Sequence, residues 1–319
     1  MASNKKRIVK QSNLLTTAAY SLSRNAKRTL YLSLNALADR DSLKFCEVEH
    51  GYIVDINHEE YSSIFSDKKN ASRDIQRAAQ EMREQAIRIY LPDQDGTDGE
   101  KALRERVWIV AYDHLPKQHR TKLYFNRSIV DMIPYKKGDP FTQYLLFSAG
   151  GLNNPYAMRL YESICQWRSS RTSVKFAVDW MLDRFAMPAS YERMSDFRSK
   201  FLKVAVKEIN DNTDIEITDC TELCEGARKN KVTHVVFTWS ERRKVMEHKE
   251  PAAKELTKQD AISTYEDIMD KKRIPSLREI EHLKANLVEL GSEGVDFGAG
   301  FFSKLRESEE AAQEIEGKA

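Results

Sequence analysis

The chain has 319 residues, 41% of them apolar, and a formal net charge of +2, which allows about two ordinary domains, each with its own core. Its longest apolar runs, such as Val107–Tyr112, fall far short of the roughly 20 residues that a membrane-spanning helix requires. Met1–Lys10 carries charge but no apolar stretch and no small-residue cleavage site, so no secretory signal is read there and the expected location is cytoplasmic.

Four cysteines, Cys46, Cys165, Cys220 and Cys224, are too few and too scattered for a disulfide framework. No second Cys/His pair stands at ligand spacing from Cys220 and Cys224, so neither a metal nor a cofactor is expected. The small net charge hides an asymmetry. Residues 251–319 hold 10 Lys+Arg against 15 Asp+Glu, and the 250 before them hold 41 against 34. The basic surplus therefore lies on the body of the chain, where it suits an anionic partner.

In chain order, the same series of elements is read twice. Over about residues 10–135, Ser23 is an N-cap for a helix with Leu30, Leu34 and Leu37 at helical spacing, and Gly51–Asp55 follows as a strand. A helix with Tyr61, Ile64 and Phe65 comes next. A second, from about Ala71 to Ile87, places Ile75, Ala78, Ala79, Met82 and Ala86 on one side. Strands at Arg88–Leu91 and Arg104–Asp113 flank the polar loop Asp93–Gly99, read as a solvated turn because it lacks the closing glutamate of a calcium loop. The second series starts at Asn154–Pro155, an N-cap followed by proline at the first helical position. That helix carries Met158, Tyr161, Ile164 and Cys165. A strand at Val174–Phe176 leads into a helix with Val178, Met181, Leu182 and Phe185 that Pro188 closes. The stretch Ser190–Asn210 is the third helix, and strands at Asp214–Asp219 and Lys231–Trp239 form a hairpin in which Val235, Phe237 and Trp239 alternate inward.

Helix, strand, helix, helix, strand, loop, strand is the layout of a winged helix. Two copies predict an α+β chain of two tandem winged-helix (helix-turn-helix) domains with a C-terminal helical extension. The expected boundaries are a basic arm at 1–9, winged helices at 10–145 and 146–245, and an acidic extension at 246–319. In such modules the third helix offers its outer face to the DNA major groove while the hairpin loop touches nearby backbone.

On the third helix of the second copy, Phe197, Phe201, Val204, Ala205 and Ile209 share one arc. Arg193, Asp196, Ser199, Lys200, Lys203 and Lys207 share the other. A lysine-rich arc is often only a solvated face. Its place on a third helix, beside Arg228, Lys229 and Lys231 of the hairpin loop, favours DNA. Asp196 accepts a bond from a cytosine amine or orients a neighbouring arginine; alternatively it serves only the helix dipole.

The stretches Arg7–Asn13, Ala18–Arg24, Asn154–Ser163, Tyr191–Arg198, Glu208–Asn210 and Thr233–Phe237 together resemble the iteron-binding plasmid replication initiators. The resemblance implies that two winged helices grip one short direct repeat, or iteron, in successive major-groove segments of double-stranded DNA. It implies monomers that start replication with a host initiator, helicase or helicase loader. It also implies self-association into dimers, through the N-terminal domain, that bind an inverted repeat and repress the chain's own promoter. By the same resemblance Arg193, Asp196, Arg198 and Lys200 are base or near-base contacts. Ser199 departs from it, standing where a related initiator has a basic residue, and residues from about 245 onward have no counterpart.

In the N-terminal domain the equivalent helix offers Arg73, Arg77 and Arg83, against the reading of an ordinary surface helix with Arg77 and Glu81 paired at i,i+4. The arm Lys5–Arg7 adds phosphate contacts or frays. No G-x-x-x-x-G-K-[ST] motif is present, and no two histidines flank a single apolar residue as a nicking enzyme would need. His234 reads as a packed or surface strand residue, so the chain is not expected to be an enzyme. A dimeric transcription repressor without initiator activity is the alternative, and the doubled module argues against it. In the tail, Ser276 caps a helix with Ile280, Leu283 and Leu287 on one face. Gly291–Gly300 is read as a loop before a short helix at Phe301–Phe302 and an acidic, frayed end.

Overall fold

The structure is a computed structural model that describes residues 7–38, 43–65, 70–97, 100–133, 140–225, 231–242, 258–270, 275–292, 297 and 300–317. One compact unit spans 5–248 and a second lies within 249–319. The expected architecture is present: mixed α and β, two tandem winged helices and C-terminal helices.

The first module opens with β1 (Ile8–Ser12) and α1 (Asn13–Thr17), where the Ser12 Oγ accepts from the Leu15 N–H at 3.2 Å. In α2 (Arg24–Leu37) Ser23 is the N-cap and accepts from the Ala26 N–H, while Leu30, Leu34 and Leu37 are buried. The chain continues through β2 (Lys44–Cys46), β3 (Gly51–Asn57), α3 (His58–Phe65), α4 (Ala71–Glu84), β4 (Ala86–Tyr90), β5 (Leu103–Val107), β6 (Ile109–Leu115) and β7 (Arg120–Asn126). Next come α5 (Arg127–Val130), β8 (Phe141–Leu145) and α6 (Leu146–Gly151). Strands β4 and β5 form the hairpin wing, and a separate sheet has the order β2-β3-β7-β6.

The single strand expected over Arg104–Asp113 is in fact two. Trp108 is 1% exposed and meets the Tyr20 ring edge-on at 4.9 Å. Anchoring that indole in the core takes the chain out of the wing, so β5 pairs with β4 while β6 pairs with β7. A second departure is at the ends of the module. Strand β1 pairs antiparallel with β8, from Ile8↔Leu145 to Ser12↔Phe141. The side chain of Arg7, read as part of a basic arm, is paired with Glu60.

The second module begins with α7 (Pro155–Cys165), whose cap Asn154 accepts from the N–H groups of Tyr156 and Ala157. It proceeds through β9 (Ser173–Ala177) and α8 (Val178–Arg184). Helix α8 ends before Pro188 because Ala186 turns into the left-handed region, at φ 46°. A continuous helix then consists of α9 (Met194–Asp196), a π-helical turn (Phe197–Leu202) and α10 (Lys203–Asn212). The hairpin of β10 (Ile215–Leu223) and β11 (His234–Glu241) completes a sheet of order β10-β11-β9. Val235, Phe237 and Trp239 face inward, at 3% exposure or less.

One apolar core runs through both modules, and a buried polar knot joins them. Glu162 of α7 accepts from Lys27 Nζ of α2 at 2.5 Å, from the Tyr31 hydroxyl at 2.6 Å and from Arg159 Nη1 at 3.0 Å. Arg159 Nη2 also donates to the carbonyls of Thr16 and Ala18, at 3.0 and 2.8 Å. Burial alone would raise the Glu162 carboxyl, yet Lys27 and Arg159 outweigh it and hold it below the usual carboxylate range. Burial lowers Lys27 to about 8.

The second unit contains α11 (Lys258–Asp270), α12 (Leu277–Ser292) and α13 (Phe301–Gly317), packed around Ala261, Ile268, Ile280, Leu283, Leu290, Phe301 and Leu305. The expected cap holds: Ser276 and Glu279 bond reciprocally, side chain to backbone, in a capping box. The short helix expected at Phe301–Phe302 is corrected to one of 17 residues. Phe301, Leu305 and Ala312 recur close to helical spacing and are all buried, which sustains it.

Candidate nucleic-acid interface

In the second module the third helix takes its orientation from its apolar arc. Phe197, Phe201, Ala205 and Ile209 are fully buried, with Phe201 in edge-on contact with Phe197 at 5.1 Å and Phe185 at 6.0 Å. Val204 is only half-buried. Within the π turn the Lys203 N–H bonds the Arg198 carbonyl, five residues back. The extra residue re-phases the helix and brings Leu202 into the core as well, at 6% exposure.

The remaining face is solvent-exposed at Arg193, Arg198, Ser199, Lys200, Lys203 and Lys207, and half-buried at Asp196. Arg193 departs from the expected arc, since its backbone is extended and it serves as the helix N-cap. Its guanidinium Nη2 lies 2.8 Å from the Asp196 carboxylate, and Lys200 Nζ lies 3.2 Å from the other oxygen. The bond from Lys200, with Arg193 beside it, holds the Asp196 carboxyl below its usual range. Asp196 therefore orients two cations within its own helix. Arg198 is held across elements: Nε and Nη2 donate to the two oxygens of Glu222 on β10 at 2.7 and 2.6 Å. Lys207 pairs with Asp211, and the Ser199 hydroxyl donates to the Ser195 carbonyl at 2.8 Å.

Three carboxylates thus offset part of the cationic stripe. Among the described residues Lys203 and Lys231 are exposed without an ion pair. Arg228 and Lys229 lie outside the described residues. At the loop end of the β10–β11 hairpin, Lys175 bonds Glu225 at 2.9 Å, and half-buried His234 sits 3.3 Å from that carboxylate.

In the first module α4 buries Ile75, Ala78, Ala79 and Met82 and exposes Arg73, Arg77 and Arg83. Arg73 Nη2 donates to Asn70 Oδ1 at 2.8 Å. Arg83 stacks over the Tyr112 ring at 5.8 Å. The pair that the alternative surface-helix reading gives to Arg77 and Glu81 is not formed: Glu81 accepts from both the backbone N–H and the hydroxyl of Ser23, each at 2.6 Å, and so ties α4 to the start of α2. The β4–β5 wing adds exposed Lys101, Arg104 and Arg106, which the sequence reading did not single out. The signal is present in the sequence, because basic residues mark the corresponding hairpin of the second module too, at Arg228, Lys229 and Lys231.

The two modules are held to one another. Tyr90 of the first wing donates to Asp183 Oδ1 of α8 at 3.0 Å, and the Arg184 guanidinium stacks on the Tyr90 ring at 3.4 Å. Among the described residues no group of three or more His, Cys, Asp or Glu is placed to hold a metal. No helix among them is long and apolar enough to cross a membrane.

Two winged helices with exposed basic third helices define a DNA-binding protein of the tandem winged-helix class. The chain belongs to the Initiator Replication protein family, whose members bind DNA in plasmid replication initiation and are not enzymes. The family's "Initiator Replication protein, WH1" pattern matches residues 8–165, and its "Initiator Rep protein, WH2" pattern matches 177–239. An Escherichia coli protein described as an "Uncharacterized 27.6 kDa protein" is 33% identical over 216 residues, 66% of this chain and 87% of that one. The crystal structure of the Pi initiator protein in complex with iteron DNA superposes with a TM-score of 0.58 at 19% identity, over 75% of this chain and 99% of that one, a likeness of fold.

Proposed function

We propose that this chain initiates plasmid replication by gripping one iteron of duplex DNA as a monomer, with one winged helix in each of two successive major-groove segments. The observation that carries this reading is the pair of exposed basic third helices held in one chain by the Glu162 knot and the Tyr90–Asp183 contact. In this reading Arg193, Asp196, Arg198, Ser199 and Lys200 lie at or near base edges. Lys203, Lys207, Arg228, Lys229 and Lys231 meet phosphates, and Arg73 and Arg77 serve the N-terminal reader together with the first wing. In this reading the N-terminal reader keeps β1 and α6, so its limits widen from the expected 10–145 to 8–151, and the main reader, expected over 146–245, runs from 155 to 241.

Bound at an origin in the bacterial cytoplasm, the monomer gathers a host initiator, helicase or helicase loader. Dimers formed through the N-terminal domain occupy an inverted repeat and repress the chain's own promoter. Within the family the ordered motif series points towards the F-plasmid initiator, a finer kinship that supports the same roles. The experiment is selection of bound duplexes from a random pool, followed by sedimentation of the complex on a single selected repeat. One chain per repeat is expected. Two chains per site would favour a dimeric repressor without initiator activity.

A further inference from the structure

We propose that Glu222 is a positioning residue that presents Arg198 to a guanine edge, setting base preference at one position without itself touching DNA. The proposal rests on the DNA-reading role given to Arg198 above. A guanidinium has five donors in a planar fork. Glu222 takes one edge of that fork, Nε and Nη2, with two bonds of 2.7 and 2.6 Å. The outer edge keeps both hydrogens of Nη1 and the second hydrogen of Nη2, which have no protein partner among the described residues. Two parallel donors on one edge match the N7 and O6 acceptors that guanine alone shows side by side in the major groove.

Both anchors of the pair are fixed. Glu222 stands opposite Val235 in the hairpin, and Val235 is fully buried, so the glutamate is carried on the sheet face that meets the helix. Arg198 lies between Phe197 and Phe201, both fully buried, and its carbonyl accepts the bond of the π turn. The helix backbone at Arg198 therefore cannot roll without unpacking two aromatic rings.

As a strut the pair would do little, because exposed ion pairs contribute little to stability and Arg198 is 51% exposed. Nor does it add attraction for phosphate, since Glu222 offsets the charge. What remains is direction: a long side chain ordered before DNA arrives loses less freedom on binding. The pairs within the helix differ, because Arg193 and Lys200 share a carboxylate three and four residues away and gain no link to the hairpin.

The test uses the full chain and duplexes that the wild-type protein selects from random DNA, with every single base-pair substitution measured by fluorescence anisotropy. Arg198→Ala should flatten the preference at one G·C pair by roughly 10-fold or more. Glu222→Ala should flatten the same position several-fold and no other, without weakening binding to unrelated duplex, and Glu222→Gln should fall between. The proposal is overturned if Glu222→Ala leaves that preference intact or sharpens it, lowers affinity for all duplexes alike, or if the position read by Arg198 is not guanine. A wild-type chain that selects no sequence would instead bring down the DNA-reading role itself, and this proposal with it.

Discussion

A carboxylate with no access to water survives in a fold only if its charge is met, and Glu162 is met by two cations and a tyrosine hydroxyl. Removing one member of such a knot strands the others, so Glu162→Gln should cost ~3–5 kcal/mol in urea unfolding at pH 7. Because its folded pKa is depressed, the carboxylate's stabilisation is present above the unfolded value of about 4.3 and is lost as pH falls through the folded value. The wild-type unfolding midpoint should therefore drop below pH 4 more steeply than that of Glu162→Gln. Parallel acid limbs would mean that other carboxylates carry the effect. On the proposed DNA face, Arg193→Ala should cost ~1–3 kcal/mol at one base position and relax specificity there. Lys203→Ala should instead weaken all sequences alike and reduce the salt slope by about one, as an unpaired phosphate contact would. Anisotropy titrations over a salt series distinguish the two, and equal loss on every duplex would refute the division.

Helices are the elements that their own residues define most fully. The caps at Ser23, Asn154 and Ser276 and the apolar arcs of α2 and α4 are local patterns legible in the sequence, as is the arc of α10 apart from half-buried Val204. Ser276→Ala should accordingly lower the stability of the α11–α13 unit by about 1 kcal/mol, visible as an earlier melting step for that unit. An unchanged transition would mean that the box adds nothing to its packing. What stayed hidden depends on partners remote in the chain. The break at Trp108 requires Tyr20, the first strand requires β8, and Glu81 spends its charge on Ser23 rather than on Arg77 four residues earlier. The same holds at the site. A stripe of cations could be counted from 193 to 207, but the carboxylate facing Arg198 comes from a strand 24 residues away. The π turn left no trace, because no residue type demands it.

At the scale of the whole molecule, the family patterns stop at residue 239 while the chain continues into a separate helical unit with its own core. That unit belongs to a segment with an acidic surplus, and the core of 5–248 is complete without it. A chain ending at His248 should therefore fold, retain its duplex preference and bind unrelated DNA at least as well as the full chain at equal salt. Circular dichroism melts and anisotropy would check this, and a truncated chain that fails to fold would show the extension to be part of the body's stability.

The pairing of Ile8 with Leu145 sets a timetable for biosynthesis. Strand β1 has no hydrogen-bonding partner until β8, the last strand of its module, has been made, a wait on the order of ten seconds at ordinary elongation rates. During that interval Val9, which ends fully buried, is exposed to solvent. Slower elongation therefore lengthens the time for which this apolar residue is unprotected, and the yield of folded protein should depend on translation speed.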